Sequence, residues 1–297
     1  MAADSNRRGS TAPATTWLPL LVLAAAITVV YAPVVASLWS DWLTDANYTH
    51  GVLVPPAVAW LVWRRRVELR TIGRRPSHAG ALIVAASLGV FLLGQAAFEF
   101  FLTRMSLLGV VAGVVVQLLG WRHLRVCLFP LLLFALAIPV PALLFNQVAF
   151  PMQLLASQFG VAALDVAGIP AIREGNLILL ERTTLEVAEA CSGIRSLISL
   201  GTVALFYGAI GTYTRQARVL VAVAVMPVVV VANGFRVAGA GAVAHVYGAE
   251  TAAGFLHTFS GWLFFLAAIL MLVAVERGAV ALSWPGGPSQ PGTPRTA

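Results

Sequence analysis

The 297-residue sequence contains no lysine, only two cysteines and few charges: 10% of its residues are charged and 59% are hydrophobic. Each scarcity excludes something. A soluble globular chain is about one quarter charged, so this one lacks the polar groups to cover a water-exposed surface. A mean hydropathy of +0.87 points the same way, to an integral membrane protein. Cys127 and Cys191 are too few for a disulfide framework. No CxxC or His/Cys cluster suggests a metal, and no cofactor is expected. The net charge of +7 rests on 19 arginines that fall in short clusters between apolar runs. That is the pattern of topology determinants and speaks against nucleic acid as a partner.

What the chain does have is apolar runs. About 20 apolar residues cross the hydrocarbon core as a helix. On that measure eight candidates stand at Trp17–Trp39, Tyr48–Trp63, Ala79–Phe98, Met105–Gly120, Val126–Phe145, Cys191–Gly211, Val219–Ala240 and Leu256–Val275. The first is too long for a signal-peptide core and lacks a small-residue cleavage site, so it reads as a retained span. The second is short and holds Pro55-Pro56; the fourth is glycine-rich and only just long enough. The expected fold class is all-α and polytopic. A transmembrane domain spans 17–277, between a disordered cytoplasmic N-terminus (1–16) and a low-complexity cytoplasmic tail (278–297) rich in Gly, Pro and Ser.

Arginine bias sets the orientation. With the N-terminus inside, the cytoplasmic segments hold 14 arginines: Arg7 and Arg8, the six between Arg64 and Arg75, Arg122 and Arg125, Arg215 and Arg218, and Arg277 and Arg295. The outer segments keep Arg104, Arg173 and Arg182, while Arg195 and Arg236 lie within spans. Both termini are then cytoplasmic. The single long outer connection is Asn146–Ala190. Within it Pro151–Leu164 reads as an amphipathic helix lying in the interface. Asn176–Leu180 and Thr184–Ala188, separated by Glu181-Arg182-Thr183, read as a small hairpin that delivers the chain to Cys191.

Ionisable residues inside spans are costly and mark function. Cys191 opens the sixth span on the outer side, Arg236 nears the outer end of the seventh, and His257 begins the eighth on that same side. An imidazole or guanidinium nearby favours thiolate. His257 can take the thiol proton and return one to a leaving amine. Arg236 stays protonated and can donate to a developing oxyanion. Together they spell acyl transfer. Taken singly, each has a plainer reading: a cysteine near a span end as packing, a lone histidine as a satisfied polar group, Arg236 as a snorkelling cation. Cys127, with no acid–base partner close in sequence, is read as structural. Arg195, four residues after Cys191, competes for the oxyanion role or pairs with Glu189 or Asp165. Glu186 and Glu189 read as solvated or hairpin charges. His50, also on the outer side, ranks below His257.

Three segments, Ala190-Cys191-Ser192-Gly193-Ile194-Arg195-Ser196, Asn233-Gly234-Phe235-Arg236 and His257-Thr258-Phe259-Ser260-Gly261-Trp262, resemble the signatures of the exosortase/archaeosortase family. The likeness extends to Asp45-x-x-Tyr48-Thr49-His50-Gly51, where the family usually has Ser for Thr49, and to Pro55-Pro56, Trp63–Arg66, Ile138–Pro141 and Gly175-Asn176-x-Ile178. It covers roughly residues 40–275. The resemblance implies a multi-pass membrane cysteine transpeptidase with Cys191 as nucleophile, Arg236 as the essential arginine and His257, in place of an archaeal arginine, in the third position. It implies exported substrates ending in a Pro-Glu-Pro-type motif, a transmembrane helix and a basic tail. Cleavage would take place outside the inner membrane, with transfer to an unknown acceptor nucleophile, linked to exopolysaccharide production. Two other readings remain open on the residues alone: a transporter lined by Arg195, Arg236 and Asp165, and a non-catalytic component of a polysaccharide export machine.

Overall fold

The computed structural model describes residues 17–181, 183–187, 193–210, 215–248 and 255–282, with side chains left aside at 17–20, 215, 255–258 and 280–282. The expected disordered N-terminus, the expected tail beyond residue 282 (its first residues, 278–282, are helical), the expected hairpin residue Arg182, and Glu189 and Cys191 lie outside the described residues.

Long apolar sequences become long helices. Among the described residues five are long and apolar enough to cross a membrane. They fall in α1 (Trp17–Thr44), α4 (Ala79–Ala96), α5 (Phe100–Leu118), α9 (Arg215–Tyr247) and α10 (Phe255–Leu282). The other helices are α2 (Val54–Arg64), α3 (Arg66–Thr71), α6 (Trp121–Ala135), α7 (Ala142–Val166) and α8 (Ile194–Ile210). The membrane-protein class expected from composition is thus present, while the expected eight full-length spans are not all seen.

Proline accounts for two of the departures. The expected second span divides into a 3₁₀ turn, Thr49–Leu53, and the 11-residue α2, with Pro55 and Pro56 in its first turn, where a missing N–H costs nothing. The expected fifth span breaks at Ile138-Pro139-Val140-Pro141. A residue before proline is pushed out of helical geometry, and Pro141, with ψ 141°, instead caps α7. Helix α7 therefore merges the end of that span with the helix expected at 151–164. Its buried face (Phe145, Ala149, Met152, Ala156, Gly160, Leu164) packs along α9 rather than against lipid headgroups alone. Arg104, counted in an outer connection, sits in the first turns of α5, 5% exposed. It pairs there with Asp41 of α1 and donates to Ser37 Oγ at 2.9 Å.

The expected hairpin is present as β2 (Leu177–Leu180) and β3 (Thr184–Glu186), and a third strand, β1 (Ala171–Glu174), pairs antiparallel with β2. Ile178 and Leu180 face inward onto α7 and α9, in a cluster with Leu164, Val187, Val237 and Ala244. Helix α9 is the hub, packed against α7, α8 and α10. The larger core lies where these four meet, around Met152, Leu200, Val229 and Ala268.

The helix ends sort into two layers. At one, Arg64 Nη1 donates to Ile210 O, Arg65 Nη1 to Val126 O, and the Arg75 amide to Leu119 O. At the other, Trp42 Nε1 donates to Ala137 O and the Val140 amide to Tyr48 Oη.

Candidate active site

At the second layer, side chains one helical turn apart on three helices close around a cavity of about 390 Å³. Helix α8 gives Arg195, Ser196 and Ser199; α9 gives Val229, Ala232, Asn233 and Arg236; α10 gives Gly261, Trp262, Phe264, Phe265 and Ala268. The spacing of three and four residues keeps each set on one face. Arg195 and Arg236 stand at one end of their sets, and Val229, Ala232, Phe264, Phe265 and Ala268 make the rest of the wall largely apolar. Ala46 and Thr49, from the turn between α1 and α2, complete the lining.

That turn is firmly seated. Trp42 donates to Ala137 O at 2.7 Å, and Tyr48 Oη accepts from the Val140 amide at 3.0 Å. Gly51 lies so close under Trp42 that an added Cβ would overlap the indole. His50 is fixed on both sides, with Nε2 3.3 Å from Leu136 O and Nδ1 3.4 Å from Ser199 Oγ. A carbonyl only accepts, so Nε2 donates where it meets Leu136 O, and the other edge of the ring faces the Ser199 hydroxyl. An imidazole held on both edges thus stands behind a cavity-lining serine.

Two glycines shape the polar rim. Gly193 adopts φ +81°, and a Cβ there would lie 3.0 Å from Asn233 Cγ. A larger residue is strained twice over, by backbone and by contact. The chain thus enters α8 through a glycine pressed on Asn233, which is itself 6% exposed and one turn from Arg236. Gly261 of α10 faces the half-buried Arg236: a Cβ there would stand 4.0 Å from Nη2, an ordinary contact.

Of the residues expected from sequence, Arg195, Asn233 and Arg236 are brought together in this cavity, and His50 stands beside it. His257 lies in the first turn of α10, one turn before Gly261, with its side chain among those left aside. Cys191 and Glu189 lie outside the described residues; Cys191 precedes the lining residue Gly193 by two positions. Arg195 donates to Asn47 Oδ1 at 3.5 Å instead of to Asp165, which is exposed near the end of α7. Cys127 is a half-buried thiol of α6 in the opposite layer. Ser196, Thr49 and Trp262 stand in the segments quoted from the sequence but carry no role there, and Ser199 does not appear in them. Helical spacing from Arg195 would have flagged Ser199, whereas Thr49 reaches the cavity only through the tertiary docking of its turn.

A polytopic helical membrane protein with a small three-stranded sheet and a cationic, polar-rimmed cavity at one end of the bundle is the class that these features define. The model of the transmembrane exosortase family matches residues 42–274, so the chain belongs to that family. No curated protein and no solved structure matches the sequence.

Proposed function

We propose that the protein is a membrane cysteine transpeptidase that cleaves the C-terminal sorting signal of exported proteins, with the cavity opening outward and both termini cytoplasmic. The observation that carries this reading is the meeting of three signature segments at one cavity: Gly193 on Asn233, Asn233 and Arg236 on α9, and Gly261 opposite Arg236.

The chemistry follows from the residue types. The Cys191 thiolate attacks the scissile carbonyl, and the oxyanion that forms is stabilised by the Arg236 guanidinium with the Asn233 amide as a second donor. Collapse breaks the C–N bond as His257 protonates the departing amine, leaving a thioester on Cys191. An acceptor nucleophile then attacks the thioester, gives its proton to His257, and releases the thiolate. The substrates are proteins with a Pro-Glu-Pro-type motif ahead of a transmembrane helix and a basic tail. A cavity at the rim of the bundle suits a cut just outside that helix, and the family setting links the process to exopolysaccharide and envelope biogenesis.

Cys191→Ala and Cys191→Ser are the direct tests. Each is expected to leave tagged substrate uncleaved in cells, and normal processing in either variant would refute the proposal. For sidedness, a membrane-impermeant thiol reagent added to spheroplasts should modify Cys191 and spare Cys127; the reverse pattern would invert the topology.

A further inference from the structure

Two arginines line the cavity, and the reaction proposed above uses one. Arg236 stands on α9 beside Asn233 and faces Gly261, next to the segment that carries the nucleophile. Arg195 belongs to α8 and is held from another side, its Nε bonded to Asn47 Oδ1 on the turn between α1 and α2. That contact, at 3.5 Å, lies on the Nε edge of an exposed side chain and leaves the terminal Nη pair, the planar fork that matches a carboxylate, to a ligand. The hydroxyls of Ser196 and Ser199 lie on the same helix as further lining groups. Ser199 is steadied by His50.

The described residues that line the cavity bring two arginines and hydrogen-bond donors, and no carboxylate is among them. A transition-state oxyanion exists only fleetingly and at one carbonyl. A second cation at the cavity wall, in contact with a neutral amide, is matched by an anion that the occupant carries throughout. We infer that Arg195 is a specificity-determining residue that binds a carboxylate side chain of the peptide substrate next to the scissile bond, while Arg236 serves the reacting carbonyl. This rests on the transpeptidase reading and adds to it the feature of the substrate that is read. A lipid phosphate has the same charge, but Arg195 lines the same cavity as Arg236 and Gly193, where the peptide must lie.

Binding separates the two ideas, because it needs no chemistry. Full-length Cys191→Ala protein in nanodiscs is titrated with a fluorescent peptide containing Pro-Glu-Pro and with its Pro-Gln-Pro and Pro-Lys-Pro counterparts. A charge-assisted contact of this kind should make the Glu peptide bind about tenfold more tightly than the Gln peptide. Adding Arg195→Gln should remove the difference, and Arg195→Glu should turn the preference toward Lys. Adding Arg236→Gln should leave the Glu/Gln ratio intact. The inference is overturned if the ratio survives Arg195→Gln, if that change weakens both peptides equally, or if no peptide binds. It also fails if Arg195→Gln alters only the response to phosphatidylglycerol content, which would assign Arg195 to a lipid phosphate. Failure of the wild-type protein to cleave a peptide that it binds selectively would count against the transpeptidase reading alone.

Discussion

The two ends of the helix bundle use the same residue type for opposite purposes. At one end, arginines close the structure: Arg64 and Arg65 cap the carbonyls of Ile210 and Val126, and Arg64 and Arg66 lie over the rings of Trp60 and Trp63. These side chains are exposed, and each satisfies a backbone or aromatic partner nearby. At the other end, Arg195 and Arg236 turn into a cavity bordered by serines, an asparagine and two glycines. Arg104 shows a third fate, buried against Asp41 and Ser37 where it ties α5 to α1. An arginine's position in the charge count therefore says little about its work. Whether its neighbours are carbonyls and indoles or a space large enough for a substrate decides that.

The contrast can be broken most sharply at Arg236. Replacing it with Gln should lower kcat by about 10²–10³-fold, the usual loss for one oxyanion donor, with protein level and melting temperature nearly unchanged. Arg65→Gln at the other end should do the reverse, leaving turnover within twofold and costing about 1 kcal/mol of stability. Turnover assays on purified protein, paired with thermal unfolding, read both; a large kcat loss in Arg65→Gln would erase the distinction. A smaller effect is expected of Gly193→Ala. The positive φ and the contact with Asn233 should together cost about 1–3 kcal/mol. Turnover should fall further than stability alone explains, because the segment that carries Cys191 is seated on Asn233 through this glycine. Unaltered turnover and melting temperature would show that the seat is soft.

Much of this organisation was legible in the sequence, and what was not has a physical reason. The span at Ala79–Phe98 differs from α4 by two residues because it is uniformly apolar and ends against Phe98, a non-glycine residue with φ +54°. The β2–β3 hairpin followed from alternation and its turn, but β1 did not, since Ala171–Glu174 is mostly exposed and owes its strand to pairing with β2. The break at Pro139–Pro141 lay inside a continuous apolar run, where hydropathy outweighed the local backbone rule. At the site, Arg195, Asn233 and Arg236 stood out as polar groups in apolar company. The anchoring of Trp42, Tyr48 and His50 on Leu136–Val140 did not, because no local pattern reports contacts across some ninety residues of chain.

Helix α9 has one more consequence. Arg218, beside the arginine-rich layer, and Arg236, at the cavity, stand eighteen residues apart on one helix that continues through Pro227. That is roughly 27 Å along its axis, close to the ~30 Å hydrocarbon thickness of a bilayer. The helix therefore works as a depth gauge: with Arg218 anchored at one surface, the count of residues to Arg236 sets how high the cavity floats at the other. In the proposed topology a thicker bilayer is expected to draw the guanidinium toward hydrocarbon and a thinner one to lift the cavity clear of it, which turnover in bilayers of different chain length would read.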